Sequence, residues 1–142
     1  MKILVIDDKP EQLKRAMEAV EAAGYDCEVA QSLSEARKFI ESADGILTDL
    51  EFNPFTGDSK LYNAYSVNPP PAGLLVVIMA MQFKKPVAIC TDGEHHGEKL
   101  SWLFDGYWAA LACGQVDDND PLPTFGWNDR KDWANALEQL NL

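Results

Sequence analysis

Two short apolar runs, each closed by carboxylates, constrain this chain more than anything else in it. Ile3 to Ile6 runs into Asp7 and Asp8, and Ile46 to Thr48 runs into Asp49. Runs this short, bounded by polar residues, suit buried strands better than helices. If both are parallel strands of one sheet, their carboxyl ends share an edge, which is where open α/β sheets hold ligands. An acidic cluster there demands a cation, because carboxylates brought together repel one another and raise at least one pKa.

The intervening segments carry helical patterns. Leu13, Ala16, Met17 and Val20 recur at helical spacing, with Gly24 as a stop. Asp26 to Gln31 alternates Cys27 and Val29 with polar residues, as a short strand does. Ser32 with Glu35 then offers a capping box to a second helix, whose buried face is Ala36, Phe39 and Ile40. Asp44 and Gly45 turn the chain into the run that ends at Asp49. Strand, helix, strand, helix, strand is an order that predicts right-handed parallel crossovers.

Periodicity lapses from about 52 to 72. Asn53, Pro54, Gly57, Asp58, Asn68 and Pro69 to Pro71 mark a long loop that leaves the carboxylate edge, either a lid or a mobile insertion. Gly73 to Phe83 reads as a buried helix, too short for the roughly 18 to 20 residues of a membrane span. Lys84, Lys85 and Pro86 stop it, and Val87 to Cys90 is a fourth strand ending at Thr91 and Asp92. Leu100, Leu103, Phe104, Trp108 and Leu111 predict a long amphipathic helix. A fifth strand falls near Leu122 to Trp127, with Tyr107 to Ala112 as the competing placement. The last helix runs from about Asp129 through Trp133, Leu137 and Leu140.

With 142 residues, 46% apolar and 25% charged, the chain suits a single domain over 1–142. Twelve basic against 23 acidic residues give a formal charge of −11, which sets the chain against nucleic-acid backbones and anionic membranes. Cys27, Cys90 and Cys113 lack metal-ligand spacing, and their odd number within apolar stretches implies reduced thiols and a cytoplasmic protein. No secretory leader pattern opens the chain. Trp102, Trp108, Trp127 and Trp133 read as packing residues.

The order of elements, with Asp7 and Asp8 after strand 1, Asp49 after strand 3 and Thr91 after strand 4, resembles the response-regulator receiver family over nearly the whole chain apart from the 52–72 loop. The resemblance implies an α/β, doubly wound, five-stranded parallel sheet of order 2-1-3-4-5 with helices on both faces, as in flavodoxin-like folds. It implies a stand-alone receiver of a two-component phosphorelay, with Asp49 accepting a phosphoryl group from a histidine kinase or phosphotransfer protein. Asp7, Asp8, Asp49 and the backbone carbonyl of Glu51 would bind magnesium, and the Thr91 hydroxyl would sense the product. A downstream protein partner would dock on the face of the fourth helix, fifth strand and last helix. The chain departs from the family at the end of strand 5, where receivers carry a lysine followed by proline and this sequence reads Pro123 to Trp127. Lys131 lies a few residues later and reaches the pocket only if the turn there is unusual, while Lys99 belongs to the amphipathic helix.

Two other readings stand beside this one. Loss of the lysine and growth of the loop suit a pseudo-receiver, an interaction module that is not phosphorylated. His95 and His96, in the turn after Thr91 and Asp92, suit a small metal-dependent hydrolase in which imidazole joins the three aspartates. Glycine-rich phosphate fingerprints, HExxH and GxSxG are all absent from the sequence.

Overall fold

In the computed structural model, which describes residues 1–92, 125–128 and 130–142, the apolar runs form a parallel sheet. Its strands are β1 (Lys2–Ile6), β2 (Asp26–Ala30), β3 (Gly45–Thr48), β4 (Val87–Cys90) and β5 (Phe125–Asn128). They lie in the order β2-β1-β3-β4-β5, with every neighbouring pair parallel. Among the described residues the helices are α1 (Pro10–Ala22), α2 (Leu33–Ala36), α3 (Tyr62–Tyr65), α4 (Gly73–Gln82) and α5 (Trp133–Glu138). None of them is long and apolar enough to cross a membrane.

β1, β3 and β4 lack polar alternation because both of their faces are covered. Successive side chains point to opposite faces. Ile3, Val5, Leu47, Ala88 and Cys90 pack with Leu13, Ala16 and Val20 of α1 and with Trp133, Ala136 and Leu137 of α5. Leu4, Ile6, Ile46, Val87 and Ile89 face the other way, onto Ala36, Ile40 and the α4 residues Val76, Val77 and Ala80. Each fully buried large aliphatic contributes about 1.5–3 kcal/mol. Short helices such as α2 and α5 are therefore held by packing more than by their own propensity.

Local chemistry sets the boundaries. Pro10 opens α1 just after Lys9, which occupies the cap position without a side-chain bond. Asp8 is thus not the cap of this helix. Gly24, at φ +85°, adopts the left-handed conformation that ends it. Ser32 Oγ accepts the Glu35 amide, while Glu35 Oε2 accepts the Gln31 amide in place of the Ser32 amide that an ideal capping box would use.

Several expectations need correction. Met17 and Val29 are each 36% exposed instead of buried, Val29 because β2 borders the sheet. The last helix begins at Trp133, since Asp132 caps it through the Asn135 amide and the residues before it form a turn. The strand beside β4 is Phe125–Asn128, so the placement at 107–112 is not that strand. The 52–72 loop contains the single turn α3 and is buried at its ends through Phe52 and Ala72. The amphipathic helix, His95, His96, Lys99, Cys113 and residues 122–124 lie outside the described residues.

Candidate functional site

The site is built by two backbone bonds just past the strand ends. The Asp49 amide donates to the Ile6 carbonyl at 2.8 Å, and the Asp7 amide donates to the Ala30 carbonyl at 3.2 Å. These bonds carry the ladder one residue beyond β1 and β3 and set Asp7 and Asp49 on neighbouring strands. Both are buried, Asp7 completely and Asp49 to 4% exposure. Lys131 Nζ lies 2.7 Å from Asp7 Oδ2 and 2.7 Å from Asp49 Oδ2, and the lysine itself is 3% exposed. The second oxygen of each carboxylate is held by backbone: Asp7 Oδ1 accepts from the Lys9 amide and Asp49 Oδ1 from the Leu50 amide, both at 2.8 Å.

An unusual turn delivers the lysine. The Thr91 amide donates to the Asn128 carbonyl at 2.8 Å, and the Lys131 amide donates to the Thr91 carbonyl at 3.1 Å, so the end of β4 grips both sides of the turn. Lys131 sits at φ +50°, in the left-handed region that a non-glycine residue enters only when its surroundings hold it there. Its ammonium also lies 5.3 Å from the centre of the Trp133 ring, within cation–π range. Trp133 in turn donates from Nε1 to Gln12 Oε1 of α1 at 3.3 Å.

Burial dominates the electrostatics. It pushes the Asp49 carboxyl up to about 6 despite the opposing Lys131 charge, with the Asp7 charge adding to the rise. Asp7 is raised for the same reason, again against Lys131 and with Asp8 adding to the rise. Lys131 ends above its usual value: burial lowers it, but Asp49 and Asp7 together outweigh that loss. Burial likewise drives Cys90 to about 12 and Cys27 to about 11, so neither is a thiolate nucleophile near neutral pH.

Asp8 takes a different partner. Its Oδ2 accepts the Asn53 amide at 2.9 Å, and the buried Asn53 uses its own side chain to accept from the Phe55 amide and to donate to the Tyr62 carbonyl. The long loop is thereby tied to the acidic edge. Gly73, the first residue of α4, also approaches this edge, with its amide donating to the Leu50 carbonyl at 2.9 Å. A Cβ at Gly73 would overlap the Asp49 carbonyl oxygen and come within 2.9 Å of Leu50 Cα.

Of the residues singled out in the sequence, Asp7, Asp49 and Lys131 are brought into contact. Thr91, buried at the end of β4, and Asp8 lie on the same edge, while Glu51 follows Asp49 by two residues and is exposed. Among the described residues no three His, Cys, Asp or Glu side chains converge on one metal position. The donor chemistry nevertheless fits a hard divalent cation. Asp7, Asp8 and Asp49 offer only oxygen, one ammonium offsets only one of their charges, and buried Asp7 Oδ2 has no hydrogen-bond partner beyond its ion-pair contact. Asn53, Gly73 and Asn128 were missed by sequence reasoning. Pro69 to Pro71 before Ala72 and Gly73, and Asn128 before Asp129, were the available signals of a constrained approach and a side-chain-built turn.

No family model matches the chain, and no curated protein matches it in sequence. Solved structures do. A response regulator receiver protein from Sinorhizobium medicae matches at TM-score 0.61 and 20% identity, over 99% of this chain and 94% of that one. A CheY-like receiver domain protein from Methanospirillum hungatei matches at 0.57 and 18%, over 99% and 93%. One from Clostridium thermocellum matches at 0.53 and 21%, over 99% and 94%. The chain therefore has the fold of response regulator receiver domains.

Proposed function

We propose that the chain is a receiver that accepts a phosphoryl group on Asp49. The observation carrying this reading is the Lys131 ammonium in contact with both Asp7 and Asp49 at the carboxyl edge of a receiver fold. A buried carboxylate with its charge held by one lysine is a suitable oxygen nucleophile toward phosphorus, since the transfer needs positioning and charge compensation more than covalent help. The donor class is a phosphohistidine of a histidine kinase or phosphotransfer protein. Its P–N bond breaks as the P–O bond to Asp49 forms, and the imidazole nitrogen takes up a proton. As negative charge moves onto the phosphoryl oxygens, the Lys131 ammonium moves with it and its hold on Asp7 loosens. Thr91, whose carbonyl holds the Lys131 amide, links that displacement to β4. Asp7, Asp8, Asp49 and the Glu51 carbonyl are the groups that would hold magnesium, which supplies further compensation of phosphoryl charge when bound.

The test is incubation with magnesium and acetyl phosphate, followed by intact-mass measurement. One added phosphoryl group, lost in Asp49→Asn, is expected. An unchanged mass with both a small donor and a phosphohistidine protein would reject the reading. It would favour a second one, an unphosphorylated interaction module, which draws support from the way Lys131 and Asn53 already occupy the acidic edge.

A further inference from the structure

We infer that Asn128 is a positioning residue whose side chain seats Lys131 in the aspartate pocket. Asn128 is the last residue of β5 and is 8% exposed. Its Oδ1 accepts the Arg130 amide at 3.2 Å and the Asp132 amide at 3.0 Å, one on each side of Lys131. Its Nδ2 donates to Asn135 Oδ1 at 2.8 Å, which ties the turn to α5, and its carbonyl holds the Thr91 amide. One side chain thus clamps the two residues flanking a left-handed lysine.

The clamp is what that conformation requires. A lysine at φ +50° reverts to an extended or right-handed backbone unless neighbouring amides are fixed, and either change swings its side chain away from the sheet edge. The required chemistry is an oxygen acceptor three bonds from Cα, which asparagine and aspartate supply and alanine does not. Nδ2 is secondary in this scheme, because in Asn128→Asp the Asn135 amide can turn over to donate to the new carboxylate oxygen, with Gln139 turning in step to present Oε1 in place of the Nε2 that Asn135 Oδ1 accepts at 3.1 Å.

Asn128's effect on catalysis rests on the phosphoryl-acceptor reading, but its effect on Lys131 does not, so the test reads the lysine directly. The native full chain is treated with formaldehyde and cyanoborohydride, and the dimethylation rate of Lys131 is followed by peptide mass mapping against Lys14, which is 75% exposed. Lys131 should react far more slowly than Lys14 in the wild type. Asn128→Ala should speed Lys131 modification roughly tenfold, since it removes two backbone hydrogen bonds. Asn128→Asp should leave it at the wild-type rate. Acetyl phosphate labelling of Asp49 should fall in Asn128→Ala and recover in Asn128→Asp. Protection of Lys131 in a folded Asn128→Ala, or equal loss of protection in the alanine and aspartate variants, overturns the inference. If the alanine variant does not fold, Asn128→Ser, with one short acceptor, should give intermediate protection, and full protection there overturns the inference as well. Lys131 released by Asn128→Ala in a protein that takes no phosphoryl group under any donor supports the seat and refutes the acceptor function separately.

Discussion

At the scale of single residues, the chemistry turns on one ammonium shared between two buried carboxylates. Removing one partner of such an arrangement costs more than the arrangement itself contributes, because the charges left behind are neither paired nor hydrated. Lys131→Met keeps much of the side-chain bulk and deletes the charge. We expect it to lower stability by about 3 kcal/mol at pH 7 and by clearly less at pH 5, where the carboxylates can protonate. Urea unfolding at the two pH values checks this. An equal loss at both would mean that packing against Trp133, and not charge, is what Lys131 supplies. The three aspartates were legible in the sequence because each closes an apolar run. Lys131 was legible only as a candidate, since Asn128 before Asp129 signals a side-chain-built turn but not that its contacts, with those of Thr91, hold the lysine left-handed.

Elements differ in the same way. β1, β3 and β4 could be read from continuous apolar runs because both of their faces are covered, whereas Val29 in β2 misled because alternation does not reveal that a strand borders the sheet. α4 could be read from its length and its stop, but it is not the buried helix its apolar run implies, since Leu75 and Ile78 are 49% and 54% exposed, and the closeness of its first turn to Asp49 was not legible. There two effects oppose each other at Gly73. Alanine is the better helix former by about 1 kcal/mol in a helix interior and by less at a first position. Overlap with the Asp49 backbone, which cannot rotate aside as a side chain could, costs about 1–3 kcal/mol. The second wins. Gly73→Ala should therefore destabilise by about 1–2 kcal/mol and slow Asp49 labelling by shifting its backbone. A variant as stable as the wild type, with unchanged labelling, would show that α4 can withdraw without disturbing the acceptor.

Over the whole molecule, a formal charge of −11 and a buried acidic pair both make stability depend on pH, and they must be told apart. Asp49 has a folded pKa of about 6 against 3.8 in its ordinary state, so between these values the folded chain binds more protons than the unfolded one. Stability then falls as pH rises through that window, by about 3 kcal/mol for a shift of this size. Asp7, raised for the same cause, acts with the same sign. Asp58, lowered by the Thr56 hydroxyl, has the opposite sign, but its window lies below pH 3.8. Lys131, raised by Asp49 and Asp7, contributes stability that is complete below pH 10.5 and lost only above it. Surface self-repulsion also grows as carboxylates ionise, but salt screens it over roughly 10 Å at 0.1 M and over less at higher concentration, whereas buried charges are screened far less. In chelator, the fall in unfolding free energy from pH 4 to pH 6 should accordingly survive 0.5 M sodium chloride and shrink in Asp49→Asn. If salt erases it and Asp49→Asn does not, the dependence belongs to the acidic surface, and the buried pair carries no excess proton affinity.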